Sequence, residues 1–319
     1  MDIICLGEVL IDMFPAEVGR PLAEVSAFRP KPGGAPANVA VAAARLGAES
    51  GFIGKVGNDA FGHHLAAILR QEGVDVSGMR YDAEARTGLA FIAMPDVNSY
   101  DILFYRNPGA DMRLAVDDLD RELLQRARAF HFGALSLIQE PSRSATLAAM
   151  HIAREAGALI SFDVNYRADL WSKEEAYERV MATIPEVDLL KINEIEVQIL
   201  GGDDDLASTA KALLELGPSL VVVTLGPDGS YFQIADGGAF INPFRVETVD
   251  ATGCGDAFVA GLLTRLVVGA DWREQLTVGR LQEILRYANG VGALTSLTLG
   301  VIPALPTTAQ VEAFLTQQT

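Results

Sequence analysis

The chain has 319 residues, half of them hydrophobic and 7% aromatic, and carries a formal charge of −17. That length suits one large α/β domain or two smaller ones, and either buries a sizeable core. The acidity excludes a nucleic-acid partner, because a phosphate backbone would be repelled and Arg and Lys are scattered singly.

Strand-like and helix-like segments alternate along the chain. Residues 3–6 read as a first strand, and the start lacks the basic region of a signal peptide. An Ala-rich helix is expected at 37–46, a strand at 51–56 and a helix at 62–72. Farther on, strands at 129–132, 158–164 and 188–192 alternate with helices at 142–156, 173–184 and 206–216, with a segment at 194–200 between. The run 220–224 is the most apolar strand, and 231–234 with 239–242 reads as a hairpin. Continuously apolar short strands are those covered on both faces by helices. The expected fold class is therefore α/β, with a doubly wound, mostly parallel central sheet flanked by helices. Ligands in such sheets lie beyond the carboxyl ends of the strands.

Two stretches break the alternation. Residues 12–32 hold turn signals without a long periodic segment, and 86–107 hold candidate strands at 88–94 and 101–106 around the turn Pro95-Asp96-Val97-Asn98-Ser99. Both read as insertions forming a small β lid on a single 1–319 domain; an edge hairpin of the main sheet is the alternative for the second. No apolar run reaches transmembrane length, so no membrane partner is expected. Cys5 and Cys254 do not make a disulfide framework, and a cytoplasmic location follows. His63, His64, His131 and His151 lack partners at zinc-binding spacing.

Polar residues gather at the ends of strands and the starts of helices. Gly7-Glu8-Val9-Leu10-Ile11-Asp12 puts an acid just past the first strand, either accepting from ligand hydroxyls or simply solvated. In Gly33-Gly34-Ala35-Pro36-Ala37-Asn38 the glycines admit close backbone approach, and Asn38 offers a donor and an acceptor that suit sugar hydroxyls. A turn with a helix cap is the commoner explanation of those residues. Arg167, after the strand end Ser161-Phe162-Asp163-Val164-Asn165-Tyr166, clamps a phosphate or pairs at the surface. The acids of Lys191-Ile192-Asn193-Glu194-Ile195-Glu196 hold water on Mg²⁺ or complement a helix dipole. Thr224-Leu225-Gly226-Pro227-Asp228-Gly229 is a nucleotide platform or a tight turn.

The most informative segment is Asp250-Ala251-Thr252-Gly253-Cys254-Gly255-Asp256, which feeds the apolar run 257–263. A helix start offers unpaired N–H groups and a positive dipole end, which suits an anion. Asp256 stands where that anion arrives, an arrangement fit for moving a phosphoryl group onto a hydroxyl. The Gly-Lys-Ser/Thr phosphate loop, the serine elbow and the dinucleotide glycine fingerprint do not occur in the chain.

In this order the segments resemble the ribokinase-like (PfkB) family of sugar kinases. Its signatures, an N-terminal Gly-Gly…Asn segment and a C-terminal Asp-Thr/Ala-x-Gly-Ala/Cys-Gly-Asp segment, match 33–57 and 250–263. The resemblance implies that Asp256 is the base and that Gly253, Cys254 and Gly255 form a backbone anion hole, with Arg167 on the transferring phosphate. It further implies sugar contacts from Asp12, Gly33, Gly34, Asn38 and Arg106. Asn193 and Glu196 match a motif for Mg²⁺ and phosphate, while Thr224, Gly226, Gly229 and Asn289 match nucleotide contacts. Asp250 and Thr252 match a loop for a monovalent cation, so the implied cofactors are ATP and Mg²⁺, with K⁺ as activator. Cys254 departs from the commoner Ala; backbone N–H groups do the work there, so a small thiol is expected to be tolerated, and a lowered pKa at a helix start is the lesser alternative.

Within the family, residues 31–40, 104–112 and 162–171 are similar to bacterial and plant fructokinases. The implied reaction is D-fructose to fructose 6-phosphate. Aminoimidazole riboside kinases and 2-keto-3-deoxygluconate kinases share parts of the pattern, and a catalytically idle sugar- or nucleotide-binding regulator is the reading from another class. Lid strands that pair between subunits imply a homodimer.

Overall fold

The computed structural model describes residues 1–96, 99–201 and 205–318. Its strands are β1 (Ile3–Leu6), β2 (Leu10–Pro15), β3 (Phe28–Gly33), β4 (Ser50–Gly57), β5 (Met79–Asp82), β6 (Leu89–Asp96) and β7 (Ser99–Tyr105). They continue with β8 (Ala129–Gly133), β9 (Leu159–Asp163), β10 (Leu189–Asn193), β11 (Leu220–Thr224), β12 (Ser230–Ile234) and β13 (Gly237–Ile241). The helices that bear on the site are α1 (Ala35–Arg45), α2 (Ala60–Gln71), α3 (Arg121–Gln125), α4 (Ser142–Glu155), α5 (Lys173–Thr183), α6 (Glu194–Leu200), α7 (Leu206–Leu214), α8 (Cys254–Val267) and α9 (Val278–Thr295).

Nine strands form one sheet in the order β13-β12-β11-β10-β9-β8-β1-β4-β5. Pairing is parallel from β5 through β11 and antiparallel only where β12 and β13 close one edge. The central strands are buried on both faces because they are largely apolar, and β1 shows why. Ile3 and Cys5 enter the core beneath α1, α2, α8 and α9, while Ile4 and Leu6 enter the core beneath α3, α4, α5 and α7. Successive side chains point to opposite faces, so a four-residue apolar strand serves two cores at once.

Helix starts follow local chemistry. Expected at 37–46, the first helix begins instead at Ala35, since Gly34 adopts φ +107 as its N-cap and Pro36 fits the first turn. Asp59, Ser172 and Asn193 each accept backbone N–H bonds at the starts of α2, α5 and α6.

A second sheet, in the order β3-β2-β6-β7, stands apart from the first. Residues 12–32, read from sequence as part of a small β lid, contain most of β2 and β3, and the strands near 88–106 join them rather than extending the main sheet. β2 pairs antiparallel with β3 and parallel with β6. The turn expected at 95–99 includes residues 97 and 98, which lie outside the described residues. Among the described residues, no helix is long and apolar enough to cross a membrane.

Candidate active site

Helix α8 starts where the backbone turns through Gly253 at φ +77, a left-handed conformation that side chains rarely adopt. A Cβ at that position would also collide with the side chain of Val301. The turn leaves the Gly255 and Asp256 N–H groups unpaired by the helix, while Cys254 N donates to the Ala251 carbonyl at 3.3 Å, and it sets Asp256 in the first turn, only 8% exposed. From α1, Asn38 Nδ2 donates to Asp256 Oδ2 at 2.8 Å, joining residues 218 positions apart. Asn38 Oδ1 is buried without a partner among the described residues, which leaves an acceptor beside the carboxylate.

Burial pushes the Asp256 carboxyl up to about 6, against the Asn38 hydrogen bond that lowers it; Asp163 raises it further, and Arg167 and Lys191 lower it. At neutral pH the group is ionised yet basic enough to take a proton from a hydroxyl. Adjacent helix-start N–H groups are fit to hold an anion.

The second sheet supplies the facing wall. Asp12 lies on β2 and its carboxyl fills the space that a Gly33 side chain would need. Gly34 is equally constrained, because a Cβ there would strike the Glu8 carbonyl oxygen. Burial raises Asp12 to about 7, with Asp256 adding to the shift and Arg167 opposing it. Thus Asp12, Asp256 and Arg167 share one field. Arg106, just past β7, is buried and bonds Asp111 through Nη2, while its Nε and Nη1 lack partners among the described residues. It has no bond to Asp256 or Asn38 among the described residues, and those two free donors are what it offers a ligand.

The remaining residues converge from the carboxyl ends of β9, β10 and β11. Asn193 caps α6 by accepting from the Ile195 and Glu196 N–H groups at 2.9 and 3.0 Å. Both oxygens of buried Glu196 accept backbone bonds, from Tyr166 N at 2.7 Å and Asn193 N at 2.8 Å. These residues fit Mg²⁺ held through its water shell, because their oxygens are already in use and Mg²⁺ keeps several waters. Thr224 ends β11, and Gly226 (φ +54) and Gly229 (φ +96) form the tight turn after it. Asn289 donates to the Asn242 carbonyl at 3.2 Å, tying α9 to the chain just past β13.

Asp250 is buried and, among the described residues, has no ion-pair partner. Its oxygens accept from Thr252 N at 2.9 Å, Thr252 Oγ1 at 2.6 Å and Gly300 N at 2.8 Å. A buried carboxylate facing only neutral donors fits a monovalent cation bound by oxygens. Asp250 and Asp256 therefore occupy separate environments on either side of the glycine turn.

Cys254 does not follow the lowered-pKa alternative. Burial, then the carboxylates of Asp250 and Asp256, push its thiol up to about 12 rather than down. Burial and two nearby negative charges outweigh the helix start, so the loop does not favour the thiolate.

Sequence reasoning assigned no role to Glu8, Asp163 or Lys191. Glu8 is buried and accepts from the Ala35 N–H at 3.1 Å. Lys191 Nζ bonds both oxygens of Asp163 at 3.1 Å. A lysine inside Leu189-Leu190-Lys191-Ile192 was the available signal, since lysines in fully buried strands are rare unless paired.

Comparison with known proteins agrees with this geometry. A family model described as "pfkB family carbohydrate kinase" matches residues 1–308. The chain is 44% identical to probable fructokinase-2 of Arabidopsis thaliana over 98% of its own length and 95% of the relative's. The fructokinase of Xylella fastidiosa with bound ATP superposes with a TM-score of 0.91 at 31% identity, covering 99% of this chain and 98% of that one. A double mutant of Vibrio cholerae O395 fructokinase, bound to fructose, ADP and potassium ion, superposes at 0.87 with 34% identity and 98% coverage of both chains. With both signature segments meeting through Asn38 and Asp256, the chain belongs to the pfkB family of carbohydrate kinases, phosphotransferases that act on a sugar hydroxyl.

Proposed function

We propose that this protein transfers the γ-phosphoryl group of ATP to O6 of D-fructose, giving fructose 6-phosphate. The observation that carries the reading is the Asn38–Asp256 hydrogen bond at 2.8 Å, which places a hydroxyl-binding amide beside a raised carboxylate. The similarity to fructokinases along nearly the whole chain supports fructose as the acceptor.

Asp12, Gly33, Gly34, Asn38 and Arg106 orient the sugar, with the two glycines allowing the backbone to approach. Asp256 accepts the proton of the attacking hydroxyl as that oxygen bonds to phosphorus. N–H groups of Gly253, Cys254 and Gly255 receive the charge on the transferring group, aided by Arg167. Thr224, Gly226, Gly229 and Asn289 lie along the nucleotide side. Asn193 and Glu196 would hold Mg²⁺ through its waters, and the ion would supply positive charge for the phosphates; Asp250 and Thr252 would hold K⁺ beside the anion loop.

We read the chain as one domain whose second sheet is a lid that closes over the sugar and excludes water. Leu103 and Tyr105 on the edge strand β7 are exposed, and such an edge pairs readily with another copy, which supports a homodimer through the lid. The absence of a disulfide framework in the sequence supports a cytoplasmic location.

A substrate panel tests the reading. With ATP and Mg²⁺, fructose should exceed aminoimidazole riboside, ribose and 2-keto-3-deoxygluconate by more than about tenfold in kcat/KM, a gap of roughly 1.4 kcal/mol in transition-state binding. A tenfold preference for the riboside would overturn the acceptor and keep the kinase. Tight sugar binding with no product from any sugar would instead favour a regulator.

A further inference from the structure

The most unusual charged group outside the roles above is Lys191. It lies on β10 opposite Asp163 on β9, is 4% exposed, and its ammonium sits 3.1 Å from each oxygen of that carboxylate. A Cβ built on Gly255 would stand 3.5 Å from Lys191 Nζ, ordinary van der Waals contact. No side chain therefore separates the ammonium from the backbone of the anion-binding loop. Burial opposes its charge, yet Asp163, Glu196 and Asp256 together keep Lys191 protonated and its pKa raised.

Stability alone does not account for such a pair. Two charges removed from water cost about as much as their attraction returns, and apolar residues of similar volume commonly serve as well. The neighbouring strand positions Leu190 and Ile192 are already apolar and fully buried. What distinguishes the location is the surrounding charge. Asp12, Asp163, Glu196 and Asp256 gather here against Lys191 and Arg167, and the substrate phosphates bring further negative charge.

We propose that Lys191 is an electrostatic positioning residue for phosphoryl transfer: fixed by Asp163, its ammonium lies behind Gly255 and holds positive charge under the anion loop without touching the substrate. Gly255 leaves only its backbone between that charge and the anion, and even a Cβ there would stand 3.5 Å from the ammonium. The lysine acts through the loop, so its contribution grows as charge develops on the transferring group and is small for ground-state ligands.

The inference rests on the kinase reading above. Two variants test it: Lys191→Met, and Asp163→Asn with Lys191→Met, which removes both charges of the pair and so does not leave Asp163 unpaired. In the double variant the Tm should stay near that of the wild type, and the Kd for ADP and the KM for fructose should change by less than about threefold, whereas kcat should fall at least tenfold. Affinity for ADP with aluminium fluoride and fructose, a mimic of the transferring group, should fall by a similar factor. The single variant should lose about 10²-fold in kcat. A double variant that keeps wild-type kcat and wild-type affinity for the fluoride complex would reduce Lys191 to a structural partner of Asp163. Should the wild type prefer another sugar of the panel, that sugar replaces fructose in every arm; only failure of the wild type with all of them would count against the kinase reading itself.

Discussion

Asp256→Asn is expected to lower kcat by about 10²- to 10⁴-fold, the usual contribution of a positioned general base. The substitution keeps shape and volume, and an amide oxygen still accepts from Asn38 Nδ2 across the 2.8 Å contact. Sugar affinity should therefore change little, since the variant retains Asp12, Asn38 and the glycines that face the ligand. It also removes a carboxylate whose ionised form burial disfavours, so the folded protein should be no less stable than the wild type. An effect on KM alone, with kcat preserved, would assign Asp256 to binding and leave the base unidentified. Measuring kcat by ADP release and Kd by titration calorimetry separates the two outcomes.

Gly253→Ala should be the most damaging change in the loop. Two penalties combine: a left-handed backbone at φ +77, costing about 1–3 kcal/mol for a residue with a side chain, and a collision with Val301. Relief of the collision requires the turn to shift, which misaims the first N–H groups of α8. Loss of one well-placed anion-hole donor costs about 10²- to 10³-fold in kcat, and a shifted loop should lose at least that. Gly269→Ala is the control, since Gly269 has a similar φ of +73 but open space where its Cβ would stand. It should lower Tm by a few degrees and leave kcat unchanged. Equal loss of activity in both variants would mean that strain, and not loop geometry, governs the Gly253 effect.

Much of the fold was legible because parallel strands announce themselves as short apolar runs. The run Leu220–Thr224 is legible to the residue, and Lys173–Thr183 and Leu206–Leu214 to within two at their C-terminal ends. Helix α9 was not foreseen. Gly279, Gly290 and Gly292 dilute its helical propensity, and it is held by close packing on α8, where Gly261 leaves room for Ala288 and Val291. Strand β5 is four residues with an exposed tyrosine and reads as loop. In the site, the two signature segments carried their own chemistry, but their meeting did not follow from spacing, since 218 residues separate Asn38 from Asp256. Lys191 escaped because its meaning depends on Asp163 in the neighbouring strand and on the missing side chain of Gly255. Cys254 is a similar case: a helix start and two flanking carboxylates are visible in sequence, whereas the burial that does most to raise the thiol is visible only in space.

The central claim, that a buried carboxylate beside Asn38 deprotonates the sugar, is tested most directly by the pH dependence of kcat/KM for fructose. That ratio reports the essential groups of the free enzyme. Asp256 is raised from 3.8 to about 6, so the ionised base is present above about pH 6 and is lost as pH falls through that value. Protonation of Asp12, raised to about 7, weakens sugar binding in the same range and steepens the decline. The account predicts a plateau above about pH 8 and an acidic limb falling through about 7 and 6, steeper than a single proton allows. A profile that stays level down to the ordinary carboxylate value of 3.8 would contradict it, because no raised, buried acid could then be serving as the base.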